Sequence, residues 1–293
     1  MTIDFERIIA ILVSGLVSGS LYALMASGLS LVWGTLGMFN FAHGALVMLG
    51  AYAAWYFSNP AGLGGGLLLG IPAAIVLIGV GGYVLYVLLV KPFVGRPGAD
   101  LIVIITTIAG ATFLQNGVQV VFGPRYKQLA RVLTGEVRFF NTAVGFQDLI
   151  VILVAPTMLL LLALFLKRSK LGLAIRAVEQ NYDSAQLVGI NAGQVYPLTF
   201  AVSAILAAIA GILLGGLFFI LPTMGSEPLL RAFIVVVFGG LGSLPGTIIG
   251  AYIIGLIESI SGFFLTLYWA PVVLFAVLIF VMIVRPTGLM GRE

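Results

Sequence analysis

The polar residues that could carry chemistry are few, and they interrupt long apolar stretches. The only histidine, His43, lies three positions after Asn40 and directly before Gly44, in the segment FNFAHG. Asn is favoured just before the first turn of a helix, so this segment predicts a break between two helices with Asn40 as the N-cap. Broken helices in transporters often line a cavity and point their positive N-terminal ends at a carboxylate. Asn40, His43 and Gly44 are therefore candidates for a translocation path, with a purely structural turn as the alternative.

Three other polar residues lie within apolar segments. Glu258 is the only charged residue between positions 232 and 284. An acid within a membrane span is a functional candidate, although a carboxylate near the end of a span can also simply reach the interface. Gln115 and Asn116 are predicted to hydrogen-bond between helices, with lining of the path as the second possibility.

Enzymatic chemistry is not indicated by the sequence. One histidine and no cysteine provide no zinc ligand set, so we expect no metal site. The pattern G-x-x-x-x-G-K-[ST] does not occur, so the sequence does not predict ATP hydrolysis by a P-loop. We therefore expect no catalytic residue in this chain.

The composition is that of a membrane protein. Of 293 residues, 61% are hydrophobic and 8% are charged, whereas soluble domains carry about 25% charged residues. Positions 8–90 contain no Asp, Glu, Lys or Arg, which is room for about three spanning helices of roughly 20 residues each. Because the apolar runs are continuous and do not alternate, helices are favoured over a barrel. We predict an all-α integral membrane protein, one domain over 1–293, with about eight full spans and one short or broken helix. The predicted spans are 8–33, 41–57, 66–90, 101–122, 147–166, 196–220, 229–241 (the short one), 246–263 and 268–284.

Glycine spacing predicts close helix contacts and one tight turn. Small residues four apart let helix backbones approach each other within lipid. The segment GGLGSLPG at 239–246 cannot continue a helix, and it predicts a turn or a discontinuous element. The glycine pairs are Gly15 and Gly19, Gly211 and Gly215, and Gly246 and Gly250.

The basic residues predict the orientation of the chain. If the 167–195 loop is cytoplasmic, the inside holds eight basic residues: Lys91, Arg96, Lys167, Arg168, Lys170, Arg176, Arg285 and Arg292. The outside then holds six: Arg7, Arg125, Lys127, Arg131, Arg138 and Arg231. Eight against six is a small positive-inside bias. This arrangement places the N-terminus outside and the C-terminus inside. The 123–148 segment is predicted to be a polar outside loop, and its four basic residues run against the bias.

The 171–190 segment, LGLAIRAVEQNYDSAQLVGI, has the pattern of one or two short amphipathic helices. Gly189 is placed to cap the C-terminal end. The polar face combines Arg176 with Glu179 and Asp183, and this mixed charge favours the groove of a protein partner over a lipid surface. A solvated connector is the alternative.

Four stretches resemble a known family: FNFAHG (39–44), RAVEQNYDSAQLVGIN (176–191), GGLGSLPGTIIGAYIIG (239–255) and VRPTGLMGR (284–292). Together they are similar to the branched-chain amino acid permeases of ABC importers, and more closely to the shorter of the two paired membrane subunits. The resemblance runs from about residue 8 to 292. It implies a cytoplasmic coupling loop, about 167–195, that docks in a cleft of the ATPase. The residues implied to form the docking segment are Arg176, Ala177, Glu179, Asn181, Asp183, Ala185, Leu187, Gly189, Ile190 and Asn191.

The resemblance also implies a function and partners. The chain is expected to be a passive translocation subunit in the inner (plasma) membrane, paired with a second homologous permease. Two ATP-binding subunits would bind ATP and Mg, with no cofactor in this chain, and a periplasmic or extracytoplasmic binding protein would deliver branched-chain or related neutral amino acids. No nucleic acid is expected as a partner. The alternatives are an ABC permease for urea or short amides, and an ion-coupled secondary carrier.

Overall fold

The computed structural model describes residues 5–291 apart from 131, 132, 134, 140 and 141. Arg131 and Arg292, both used in the orientation argument, therefore lie outside the described residues. The helices are α1 (Phe5–Leu36), α2 (His43–Ser58), α3 (Gly66–Leu85, continued by a π-helical turn Tyr86–Val90), α4 (Ala99–Phe122), α5 (Phe146–Arg168), α6 (Lys170–Gln180), α7 (Tyr182–Leu187), α8 (Ala192–Leu217), α9 (Ser226–Gly239), α10 (Leu244–Leu265) and α11 (Ala270–Val284), with a 3-10 turn at Leu267–Trp269. Two short strands, β1 (Glu136–Phe139) and β2 (Thr142–Gly145), lie between α4 and α5.

Within the described residues, six helices are long and apolar enough to cross a membrane: α1, α3 with its π-helical turn, α4, α5, α8 and α10. The all-α class is confirmed, whereas the prediction of about eight full spans is not confirmed. The helices α2, α9 and α11 have 16, 14 and 15 residues, and at 1.5 Å per residue each is shorter than the roughly 30 Å hydrocarbon layer. The predicted full spans 41–57 and 268–284 were too long because each included turn residues before its helix. The short helix predicted at 229–241 is confirmed.

The centre of the bundle is formed by helices that touch through their backbones. The most extensive contact is between α1 and α10. A Cβ on Gly255 of α10 would lie 2.6 Å from Gly19 Cα and 2.7 Å from the carbonyl oxygen of Gly15. Likewise, a Cβ on Gly211 of α8 would meet the carbonyl of Val47 in α2. The close contacts predicted from the glycine spacing are therefore present.

The two ends of the bundle differ in structure. At one end, the hairpin end, β1 and β2 pair in antiparallel register, and Thr142 Oγ1 donates a hydrogen bond of 3.1 Å to the carbonyl of Glu6 at the start of α1. The sequence predicted only a polar loop here, so the hairpin corrects that prediction. At the other end, the arm end, α6 and α7 extend from α5, and α6 packs beside the last turns of α1, where the Glu179 side chain lies close to Gly34.

The turn between α9 and α10 lies at the arm end, and the C-terminal segment covers it. Gly240 and Gly242 have positive φ angles of 107° and 76°, which glycine adopts without strain. The backbone N–H groups of Leu289 and Met290 donate to the carbonyls of Phe238 and Gly239, the last two residues of α9. These bonds satisfy acceptors that would be costly to leave bare at membrane depth.

Candidate translocation site and coupling arm

A buried ion pair joins three helices in the half of the bundle nearer the hairpin end. Arg231 Nε in α9 donates to Glu258 Oε1 in α10 at 2.6 Å, and the hydroxyl of Tyr22 in α1 donates to the other oxygen of Glu258. Arg231 Nη1 also lies 2.8 Å from Glu227 Oε1, four residues earlier in α9. The side chains of Arg231 and Glu258 are 12% and 7% exposed, whereas that of Glu227 is 72% exposed.

The sequence brings this pair together by a simple route. Arg231 and Glu258 are the charges that bound the uncharged stretch 232–257, and the glycine-rich turn folds that stretch into an antiparallel helix pair. Glu258 was predicted from the sequence as a functional candidate, whereas Arg231, Glu227 and Tyr22 were not. The sequence pattern that could have indicated this pair is an apolar stretch with a turn at its centre, a basic residue before it and an acidic residue after it. In the structure the Glu258 carboxylate is held inside the bundle by its partners.

An open cavity of about 590 Å³ lies beside this pair, and we call it the ion-pair cavity. It is bounded by α1, α8, α9 and α10, and its volume falls in the range of about 300–1,000 Å³ typical of small-molecule sites. Its polar lining residues are Ser14, Ser18, Tyr22, Glu227, Arg231, Glu258 and Ser259; its apolar walls include Leu21, Met25, Leu214, Phe218, Leu221, Met224 and Phe263.

A second cavity, of about 730 Å³, lies at the arm end. Ser30 and Trp33 of α1, Lys167 at the end of α5, and Arg176 and Glu179 of α6 contribute to its lining. The two cavities lie toward opposite ends of α1.

The Asn40 segment forms the predicted break between α1 and α2, but Asn40 is not the N-cap. The N-cap position is Ala42, and Asn40 Oδ1 instead accepts a 3.0 Å hydrogen bond from the Ala42 N–H. Phe41 N–H donates to Thr107 Oγ1 of α4 at 3.3 Å. Asn40 lies two residues before the N-cap because the chain turns between α1 and α2 before the helix begins. The Asn40 side chain therefore stabilises this turn and not the first helical N–H groups of α2.

His43 and Gly44 lie in packed surroundings. His43 is fully buried, and its Nδ1 lies 3.3 Å from Ser203 Oγ of α8, which donates to the carbonyl of Gly28 in α1. The Gly44 backbone packs directly against Gly225, just before α9. Asn40, His43 and Gly44 do not line either cavity. These contacts favour the structural alternative, and a role in the path stays a prediction.

Gln115 and Asn116 behave differently although they are adjacent. Gln115 Nε2 donates to Ser226 Oγ at 3.1 Å, which connects α4 to the first residue of α9. Asn116 Nδ2 donates to the carbonyl of Thr112 within its own helix, and its side chain is on an exposed face. The interhelical bond expected of both residues is therefore present for Gln115 only.

The arm between α5 and α8 has the two short helices that its sequence predicts. Each begins at a side-chain cap: Ser169 accepts from Gly172 N–H, and Asn181 accepts from Ser184 N–H at 2.8 Å. Asn191 caps α8 in the same way through Gly193 N–H. Gly189, with φ +86°, ends α7 as expected, because this left-handed conformation is strained for other residues.

The arm has one face on the bundle and one face away from it. The side chains buried against the bundle are those of Ile175, Val178 and Ala185. Ala185, which the resemblance assigns to docking, therefore contacts its own chain. Large apolar side chains remain exposed on the other face: Leu173 50%, Tyr182 45%, Leu187 89% and Val188 76%. Of the residues assigned to docking, Asn181, Asp183, Leu187, Gly189 and Asn191 are exposed, while Arg176, Ala177, Glu179 and Ile190 are partly buried.

Comparisons with known proteins agree along nearly the whole chain. Residues 11–282 match the family model described as branched-chain amino acid transport system, permease component. The chain is 35% identical over 291 residues to the high-affinity branched-chain amino acid transport system permease protein LivH of Escherichia coli K12, covering 95% of this chain and 94% of that protein. It is 33% identical to BraD, described in the same words, from Pseudomonas aeruginosa, covering 96% and 95%.

A solved structure shows the same fold. The chain superposes on PsaBC from Streptococcus pneumoniae, solved in complex with Fab, with a TM-score of 0.52 and 11% sequence identity, over 94% of this chain and 91% of that one. At this identity the match concerns the fold alone. The family match spans the arm and all the residues that line the two cavities except Ala10 and Met290. The chain therefore belongs to the family of branched-chain amino acid transport system permease components.

Proposed function

We propose that this chain is the passive translocation subunit of an ABC importer for branched-chain or related neutral amino acids. Family membership supports the transport role, and the relatives LivH and BraD carry this substrate class in their names. ATP and Mg would be bound by partner subunits and not by this chain. Amino acids would cross between this chain and a second homologous permease after delivery by an extracytoplasmic binding protein.

The observation that carries the proposal is the exposed apolar face of the arm. Leu187, the last residue of α7, and Val188, which follows it, are 89% and 76% exposed in the segment between the spanning helices α5 and α8. Adjacent exposed apolar side chains in a polar segment are typical of a surface that a protein partner covers. A short helix presented in this way fits the groove-docking mode of recognition, and we assign one of the two ATP-binding subunits as its partner.

Reconstitution tests the function directly. The chain is assembled with its second permease, the two ATP-binding subunits and the binding protein in lipid vesicles, and uptake of leucine, urea and acetamide is measured with and without ATP. We expect ATP-dependent uptake of leucine only. Uptake of leucine driven by an ion gradient without the ATP-binding subunits would instead identify a secondary carrier, and uptake of urea would identify the amide permease.

The arm is tested by the substitution Leu187→Asp. Interface residues in the centre of a contact contribute about 2 kcal/mol or more, so a buried charge here should reduce coupled uptake by at least about tenfold. The matched control is Leu63→Asp, which places the same charge on a 66% exposed leucine in the loop between α2 and α3. Co-purification of the ATP-binding subunits should fail for Leu187→Asp and persist for the control; equal co-purification of both variants contradicts the assignment.

A further inference from the structure

We propose that the ion-pair cavity is a binding site for a zwitterionic amino acid with an apolar side chain, held between Arg231 and Glu227. This inference rests on the proposed function, and it adds where in this chain the substrate is held and by which groups.

The charged side chains of the cavity differ in how firmly their partners hold them. Arg231 and Glu258 face each other inside the bundle at 2.6 Å, and Tyr22 fixes the second oxygen of Glu258. Glu227 is bound to Arg231 only through a bridge between positions i and i+4, with its side chain 72% exposed. Because the carboxylate of Glu227 is largely solvated, this bridge is weaker than the buried pair of Arg231 and Glu258. Glu227 can therefore leave Arg231 at little cost, while Glu258 keeps the guanidinium in place.

An amino acid can complete an exchange of partners at this point. Its carboxylate takes the place of Glu227 on Nη1 of Arg231, and its ammonium group donates to the released carboxylate of Glu227. Every charge then remains paired, through charge-assisted hydrogen bonds that are stronger than neutral ones. No proton transfer and no covalent step is needed.

The walls of the cavity define the class of side chain. Phe218, Leu221 and Met224 before α9 and Phe263 of α10 provide apolar surface beside the charged groups. The polar lining contains two carboxylates and one guanidinium, so an additional acidic group on the ligand would find no free cation among them. The site therefore fits a neutral amino acid with an aliphatic side chain and disfavours glutamate and aspartate.

The absence of cysteine in this chain allows a direct binding test. Ser18 lines the cavity on α1, and Ser18→Cys gives this chain a single thiol, whose alkylation in the assembled importer is read on this subunit after the subunits are separated by electrophoresis. The rate of alkylation by N-ethylmaleimide is measured in lipid vesicles without the binding protein, at rising concentrations of L-leucine. We expect leucine to slow the reaction. Its analogues 4-methylpentanoate, which lacks the ammonium group, and 3-methylbutylamine, which lacks the carboxylate, should protect far less, as should L-glutamate.

Glu227→Gln is the decisive variant because it leaves the Arg231–Glu258 pair intact. Loss of the partner of the ammonium group should raise the half-protecting concentration of leucine about tenfold. The matched control is Glu136→Gln, which removes an exposed carboxylate from the Arg138–Glu136 bridge in the hairpin. Unchanged protection by leucine in Glu227→Gln, or no protection in the parent, overturns the site. If ATP-driven leucine uptake persists at the same time, only the site is wrong; if no neutral amino acid is taken up, the proposed function fails as well.

Discussion

At the scale of single residues, the ion pair between Arg231 and Glu258 is the most sensitive feature of the chain. Both side chains are nearly inaccessible, and Glu258 is fixed by Tyr22 as well. Removing one partner of a buried pair leaves an uncompensated charge, at a cost of about 3–5 kcal/mol. We expect Arg231→Met to lower the temperature at which the purified chain loses its monodisperse state on heating.

A double variant separates the effect of an unpaired buried charge from the effect of lost packing at Arg231. The double variant Arg231→Met/Glu258→Gln has no buried charge, and its amide oxygen still accepts from Tyr22. Because well-packed neutral replacements of buried pairs are often close to neutral in stability, the double variant should recover most of the heat resistance that the single variant loses. Additive losses in the double variant would mean that size and shape at Arg231, and not charge, decide stability.

Residue types alone indicated which buried polar residues are candidates for a site, but they did not indicate which residues these candidates contact. Glu258 was selected because it is a lone charge in an apolar stretch, and it does lie at a cavity. His43 was selected by the same reasoning, yet it contacts Ser203, 160 positions later in the chain. A single sequence does not say which distant helix a buried polar group will meet, so Tyr22 gave no signal as the partner of Glu258.

At the scale of helices, backbone contact between glycines holds α1 and α10 together. A Cβ on Gly255 would lie within 2.7 Å of backbone atoms of both Gly15 and Gly19, which a rotamer change cannot relieve. Gly255→Ala should therefore push the two helices apart and reduce both heat resistance and the yield of the assembled complex. Overpacking of this kind costs about 1–3 kcal/mol.

A second glycine provides the control for this prediction. Gly81, in the middle of α3, has no neighbouring atom within 4 Å of the position of an added Cβ. Since alanine is favoured over glycine inside a helix by about 1 kcal/mol, Gly81→Ala should leave heat resistance unchanged or raise it. Equal behaviour of Gly255→Ala and Gly81→Ala in a thermal assay would contradict the importance of the close contact.

The helices and strands were predictable from the sequence only where the lipid bilayer requires a helix. All six helices of spanning length coincide with predicted spans, because a long apolar run has few alternatives in a bilayer. The lengths of α2 and α11 were not predictable from hydropathy, since the turn residues before them are as apolar as the helices. The hairpin was missed because strands of four residues give a weak periodic signal.

At the scale of the whole molecule, the chain is a multi-pass inner-membrane protein with two unlike ends. Its orientation, with the arm end as the cytoplasmic side, stays a prediction from the basic residues. Arg231, one of the six residues counted outside, lies within α9 and not in a loop, and the positive-inside rule counts the basic residues of loops.

This orientation predicts opposite accessibility for two exposed residues. Leu187, on the arm, is 89% exposed, and Tyr268, between α10 and α11, is 83% exposed at the other end. Since the chain has no cysteine of its own, Leu187→Cys and Tyr268→Cys each provide one thiol. A membrane-impermeant maleimide should label Tyr268→Cys in intact cells and Leu187→Cys only after permeabilisation. Expression without the ATP-binding subunits excludes shielding of Leu187→Cys by a partner. Labelling of Leu187→Cys from outside would mean that the orientation is the reverse of the predicted one. The arm could then not couple to ATP hydrolysis in the cytoplasm.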